Sequence, residues 1–394
     1  MDGLASAEKN DRKSTTPPLK GVLERSIRIE DFETARQILR DSDLRQAGFE
    51  AEVAELLNAN NLPIIYQTGE VHQKLRSAVA RFFAAKVVMT RYRKLMESCS
   101  ESQMARIRVT KRARLEEITF ELSVVVIAEI LGLTESKTAD MAVRLNRFFD
   151  ESFGVKTGLP GRLKHFFRAL FWVLKFYIFD VRPAIRAHLK APKDDLISHL
   201  IEQGYSHRQI LIECLAYSGA GMLGPREFMV MAAWHLFERD DLRTQFLATN
   251  EDGRIAILEE ILRLEPVTVG LYRRADRDLT VKQGAASLFI PAGTVITIDI
   301  GAVNCDPSVA GECPHALDPA RDRCNAGKET FASLMGFGDG PHRCPGASVA
   351  LQESAIFLDR LFRIPGIRLE RVPDLTWHHG HSFYILRGAI VSID

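Results

Sequence analysis

Phe337-Gly338-Asp339-Gly340-Pro341-His342-Arg343-Cys344-Pro345-Gly346 decides how this chain is read. One cysteine sits in a glycine-punctuated loop, with an aromatic residue seven positions upstream and a helical pattern from about Ala347 onward. Gly340 and Gly346 free the backbone for conformations closed to other residues and for close approach to a flat macrocycle. Backbone N–H groups around Cys344, together with the positive end of the following helix, favour the charged thiolate. Phe337 is placed to keep water from the sulfur, and burial tunes the potential of any metal bound there. The pattern suits a thiolate ligand to haem iron. The alternative is a glycine-rich surface turn with an incidental cysteine.

The bulk numbers bound the rest. A chain of 394 residues, 46% hydrophobic and 26% charged, has ample material for a core. A net charge of +1 gives no global reason to expect nucleic acid or an anionic membrane as partner. Six cysteines, at 99, 214, 305, 313, 324 and 344, show no C-x-x-C pair, which favours a reducing cytoplasm over a disulfide framework. Cys305, Cys313, Cys324 and His315 are spaced too irregularly to favour a metal cluster over loop cysteines. Residues 1–20 are polar and lack an apolar leader, so they are expected to form a disordered tail before a single domain over 21–394.

Helical periodicity dominates. It predicts helices over Ile29 to Arg40, His72 to Phe83, Leu115 to Leu131 with Gly132 as cap, Leu196 to Ile201, Arg254 to Leu264, and Ala347 to Phe362. The longest candidate, Gln209 to Glu238, is interrupted by Gly224-Pro225. Short β-branched runs over Thr268 to Ile300 predict a small sheet, Trp377 to Ile393 a closing hairpin, and Val53 to Ile65 a further strand pair. The fold class expected is mainly α with a small β portion. Leu163 to Ile185 is the most aromatic stretch; Lys164, Arg168, Lys175 and Asp180 argue against a membrane span, a core-packed helix is the plain expectation, and a face for a partner or a membrane surface is the lesser alternative.

The decamer fills every fixed position of F-x-x-G-x-[HR]-x-C-x-G and so resembles the signature of the cytochrome P450 family. The resemblance implies a large haem-enclosing fold, haem b (iron protoporphyrin IX) with Cys344 on the iron, and Phe337, Gly340, His342 and Gly346 around it. Membrane-bound members carry an N-terminal apolar helix, so its absence here points to the soluble, bacterial type without an anchor. Glu260-Ile261-Leu262-Arg263 places an acid and an arginine three apart on one helical face and resembles the family's E-x-x-R motif. The family supplies a third member, Arg321, to complete a structural triad; a guanidinium suits it because its fork binds carboxylate and carbonyls together. His72 and Arg76 resemble the H-x-x-x-R element, and with Arg273 and His342 they are the implied contacts to the haem propionates. Over Leu163 to Ile185 the family forms the roof of the substrate pocket.

One element departs from the pattern. Ala220-Gly221-Met222-Leu223-Gly224-Pro225 stands where the family has A-G-x-[DE]-T-T. Ala220 and Gly221 match and are expected to leave room above the iron. Leu223 replaces the acid and Gly224 the alcohol, so the usual proton-delivery pair is absent. Pro225 offers no N–H to the carbonyl of Gly221, which is expected to bend the helix and free that carbonyl for ordered water. Glu227 is expected either to feed such a chain or to sit on a paired face.

The leading expectation is therefore a monooxygenase that oxidises, by hydroxylation, a small and largely apolar organic molecule, in secondary metabolism. It would use O2 and electrons from a separate ferredoxin and ferredoxin reductase, docked near Arg321, Arg323, Lys328 and Arg343. The alternatives are a peroxide-dependent or non-hydroxylating haem-thiolate enzyme (coupling, dehydration or rearrangement) and a non-catalytic haem scaffold or sensor.

Overall fold

Asp31 starts the first helix: its carboxylate accepts from the Thr34 amide at 2.9 Å, so α1 runs Phe32–Arg40. The residues before it, Ile27–Ile29 (β1), pair in parallel with a much later strand, which shortens the helix expected from Ile29. The computed structural model describes residues 10–14, 26–42, 44–48, 62–153, 158–321, 335–378 and 382–394, with backbone alone at 150–153 and 158–163. Arg323 and Lys328 lie outside the described residues, as does most of the strand pair expected from Val53; Ile64–Tyr66 forms a 3₁₀ turn. Residues 10–14, placed in the disordered tail by sequence, are instead docked. The Ser14 amide donates to Glu265 at 3.1 Å, and Asp11 accepts from the Leu317 amide at 3.0 Å.

After β2 (Arg45–Gln46) the chain is helical: α2 Gly69–Phe83, α3 Arg93–Thr110, α4 Leu115–Leu131, α5 Thr138–Phe153 and α6 Gly158–Phe176, with β3 (Arg112–Arg114) between α3 and α4. Then come α7 Arg182–Lys190, α8 Leu196–Glu202, α9 His207–Ser218, α10 Gly224–Glu238, α11 Asp240–Ala248 and α12 Glu251–Leu264. α4 is apolar around its circumference and almost wholly buried; Gly132, at φ 88°, ends it. α9 opens with a reciprocal cap between Ser206 and Gln209. Gly224-Pro225 does not break the long helix. Gly219–Leu223 takes a π-helical turn between α9 and α10, the register slip expected beside a residue that has no N–H to donate.

The strands follow as β4 Gly270–Arg274, β5 Leu279–Gln283, β6 Ala286–Ile290 and β7 Val295–Asp299. β1, β7, β4 and β2 form one sheet in that order, packed with α1 around a small second core. The last helix, α13 Ala347–Phe362, lies against α3, α10 and α12 in the main core. β8 (Arg368–Arg371), β9 (Asp374–His378), β10 (Phe383–Arg387) and β11 (Ile390–Ser392) close the chain. Only β9 and β10 make the hairpin expected there; β11 leaves it to join β3 and β8.

The aromatic stretch departs furthest from its expected place. Phe166, Phe167, Leu170, Phe171, Leu174, Ile178 and Phe179 are exposed, and of its ring-bearing residues Phe176 is the one buried.

Candidate functional site

The loop that carries Cys344 is held from both sides. The Cys344 amide donates to the Phe337 carbonyl at 2.8 Å, while the Phe337 ring packs on the main core. Gly340 has φ +67°, and a Cβ there would lie 2.3 Å from the Leu39 carbonyl oxygen. This glycine therefore seats the loop on the end of α1, where the sequence had suggested approach to a macrocycle. Asp339 ties the same junction through Arg40 at 2.9 Å. Gly346 sits at the start of α13, and its N–H is directed at the Cys344 sulfur. Cys344 keeps accessible surface, yet enclosing atoms raise its thiol by desolvation; the Gly346 N–H and the charges of Arg76 and Arg343 pull the other way. Accessible and enclosed together mean that the sulfur faces interior space. A cavity of about 260 Å³ adjoins it, lined by Arg76, Ser77, Ala80, Phe83 and Pro345.

Four nitrogen donors, two of them guanidinium cations, meet beside this loop. The rings of His72 and His342 stack, with centroids 4.0 Å apart and planes 23° from parallel. Burial, then Arg76 and Arg273, lowers His72 to about 4, and burial with the same neighbours lowers His342 to about 3. Arg273 is buried on β4 and pushed down to about 10 by desolvation; it donates to Gln46 at 2.7 Å and to its neighbour's carbonyl at 2.9 Å. Arg274, on the other face of the strand, donates to the Gly293 carbonyl, which decides between the two arginines. Arg76 donates to the Arg343 carbonyl. The partners found among the described residues are carbonyls, an amide and one another, with no carboxylate. Buried cations require an anion. The donor set fits a dianionic ligand beside a thiolate, as haem with its two propionates would be.

Behind the loop, Arg263 and Glu260 are both shut from water and form a forked pair at 2.9 and 2.8 Å. Arg263 Nη1 donates to the carbonyls of Pro314 (2.7 Å) and Asn304 (3.1 Å), and Nη2, besides its bond to Glu260, reaches the Ala316 carbonyl (3.0 Å). Arg321 adds a bond to Glu260 at 3.2 Å and one to Ala316 at 2.7 Å. One carboxylate and two guanidiniums thus pin residues 304–316, the chain leading into the cysteine loop, onto α12. Arg321 is spent in this knot, which removes it from any docking surface. Cys305 joins it, its sulfur 3.7 Å from Arg263.

A family profile, Cytochrome P450, matches residues 255–364, the stretch holding both the knot and the loop. Over that stretch the chain is similar to the cytochrome P450 family. It is 31% identical over 211 residues to mycinamicin IV hydroxylase/epoxidase of Micromonospora griseorubida, covering 51% of this chain and 49% of that one. It is 28% identical over 325 residues to cytochrome P450 107B1 of Saccharopolyspora erythraea, covering 78% and 71% respectively. The chain spans less than half the length of the first curated relatives it matches. The solved structure of CalO2 superposes with TM-score 0.77 at 19% identity over 93% of this chain and 90% of that one. P450BioI, solved in complex with a hexadec-9Z-enoic acid ligated acyl carrier protein, gives 0.75 at 20% over 93% and 91%.

Where a P450 has its acid–alcohol pair, this chain divides its residues between two faces. Gly221 faces α4: a Cβ there would lie 2.4 Å from Ile127 Cδ1, so its smallness serves helix packing. Leu223 is buried in the core. Ala220 is exposed, and nothing lies within 4 Å of a Cβ built on Gly224, so these two border open space. Glu227 is no free acid; Arg226 (2.7 Å), Arg387 (2.8 Å) and the Leu386 amide (2.8 Å) consume it. Sequence reasoning missed Glu213 and Tyr217. They precede Ala220 at steps of four and three, on the same helix face, and each has a buried oxygen with no partner among the described residues. Glu213 accepts from the Ile64 amide at 3.2 Å, and Tyr217 stacks on Phe83 of the cavity wall, 5.8 Å between centroids. Burial raises Glu213 to about 7, with the Ile64 amide opposing. That recurrence of polar and small residues was the readable signal.

Proposed function

We propose that this chain is a cytoplasmic haem-thiolate monooxygenase that carries haem b on Cys344. It hydroxylates a small, largely apolar organic molecule with O2 and electrons from a separate ferredoxin-type donor. The buried group of His72, Arg76, Arg273 and His342, with no acid of its own beside the enclosed Cys344 sulfur, carries the reading. The naming of relatives as hydroxylases supports it. When bound, thiolate-ligated haem supplies O–O bond cleavage. The chain's own residues then have separable tasks. Cys344 ligates, Arg76 and Arg273 with the imidazoles of His72 and His342 take the propionates, and Glu260, Arg263 and Arg321 keep the loop in place. Ala220 and Gly224 leave substrate space, and Glu213, poised near neutrality, holds a proton that Tyr217 can pass along the helix face. The reduced, carbon-monoxide-bound protein is expected to show a Soret band far to the red of histidine-ligated haem, and Cys344→Ser to lose it. An unchanged spectrum in that variant would falsify the assignment.

Leu223 and Gly224 favour a second reading, in which peroxide serves directly as oxidant. Turnover with ferredoxin and reductant, set against hydrogen peroxide alone, separates the two. Product with peroxide and none with ferredoxin and reductant would end the ferredoxin-driven reading.

A further inference from the structure

α6 turns its largest apolar residues to the outside. Phe166, Phe167, Leu170, Phe171, Leu174 and Ile178 recur at steps of one, three and four, so they share one face, and each is exposed. Phe167 is 63% and Phe171 50% accessible. Contiguous exposure on this scale is rare unless something covers it.

The border of that face is cationic. Lys164, Arg168, Lys175, Arg182, Arg186 and Lys190 follow at steps of four and seven through α6 and α7, and all but the half-buried Lys175 are exposed. Lys175 lies 4.7 Å over the Phe171 ring, with its charge at the rim of the apolar face. The one acid between residues 164 and 190, Asp180, is buried and bonded to Arg144 at 2.6 Å. The segment's own exposed charged side chains are therefore all basic, although the whole chain carries only +1. An isologous contact with a second copy would bring two such cationic rims together, which disfavours self-association. No helix among the described residues is long and apolar enough to cross a membrane. Apolar face, basic border and a helix of 19 residues too interrupted by charge to span describe a helix that lies in the plane of a bilayer surface.

We propose that α6 and α7 dock this protein peripherally on an anionic lipid bilayer, the phenylalanines entering the headgroup region and the Lys/Arg border meeting lipid phosphates. The inference stands on the surface alone and survives or fails independently of the haem reading. Full-length protein is floated with vesicles of phosphatidylcholine and of phosphatidylcholine mixed with phosphatidylglycerol. About tenfold more protein is expected with the anionic vesicles, less as salt is raised. Brominated lipid should quench Trp172, which neighbours Phe171 at 5.3 Å, and the quenching should vanish in Trp172→Phe. Phe167→Ser with Phe171→Ser should abolish flotation, Lys164→Gln with Arg168→Gln should weaken it several-fold, and Phe289→Ser, exposed on β6, should leave it unchanged. Absent flotation, or flotation indifferent to the α6 substitutions, overturns the proposal. So does a soluble dimer, or a complex with an acidic protein, that the same substitutions dissolve while vesicles bind nothing.

Discussion

Glu260 and Glu213 are both shut away from water, at 2% and 7% accessibility, and the protein uses that burial in opposite ways. Glu260, on α12, meets two guanidiniums and the Asp318 amide, so its charge is stabilised on every side. Glu213, on α9, meets one backbone amide, and its second oxygen has no partner among the described residues. A saturated buried charge fixes geometry; an under-satisfied one keeps a proton exchangeable near neutral pH. The first therefore belongs to scaffolding behind the cysteine loop, and the second to the space in front of it.

The comparison breaks first at Arg263. Replacing it by alanine leaves Glu260 buried with Arg321 and the Asp318 amide and strips the Pro314 and Asn304 carbonyls of this donor, so a loss of about 3–5 kcal/mol in unfolding free energy is expected. Urea unfolding followed by far-UV circular dichroism measures it. A loss under about 1 kcal/mol would show that the knot is dispensable to the scaffold. Arg263→Lys should recover only part of the loss, since an ammonium cannot reproduce the fork.

The two glutamates were not equally legible. Glu260 could be read because Arg263 lies three residues away on the same helix and the motif has a fixed order before the cysteine loop. The third member of the knot, Arg321, lies 61 residues on in the chain and needed the family resemblance. Glu213 carried only the faint local mark of its recurrence with Tyr217 and Ala220; its meaning lies in Ile64, in Phe83 beside Tyr217, and in the open space by Ala220, all set by tertiary packing. Glu227 was ambiguous for the same reason, since Leu386 and Arg387 arrive from β10, more than a hundred residues on. Gly221 was misread because a small residue in a helix admits a ligand or a neighbouring helix equally well, and only Ile127 decides. Composition put the α6 aromatics in the core first and on an outward face last; the phase of their spacing against Lys164, Arg168 and Lys175 already told of a face turned outward. Elements with their own stop signals, such as α4 before Gly132, were readable to the residue.

Glu213→Gln sharpens the contrast through pH. Burial raises the folded carboxyl from 4.5 to about 7, so its favourable contribution is fully present below 4.5 and is lost as pH rises through about 7. Glutamine mimics the protonated acid. The variant should match the native protein at pH 5 and exceed it by about 2–3 kcal/mol at pH 8, from roughly 1.36 kcal/mol for each unit of displacement. Urea midpoints at the two pH values test this. A difference that does not change with pH would mean that Glu213 ionises as an ordinary surface carboxylate.

The smallest effect is expected at Tyr217, four residues on along the same face. Its hydroxyl is buried with no partner among the described residues, and burial, then the neighbouring Glu213, raises its proton affinity further. Removing a polar group that has no partner takes away a desolvation cost and no bond. Tyr217→Phe keeps the ring on Phe83 and should change stability by less than about 0.5 kcal/mol, in either direction. Turnover should respond differently: if the hydroxyl carries protons from Glu213, product formed per reductant consumed falls in the variant while its melting curve stays in place. A stability loss above about 1 kcal/mol would instead reveal a bonded hydroxyl, and Tyr217 would join Glu260 on the scaffolding side.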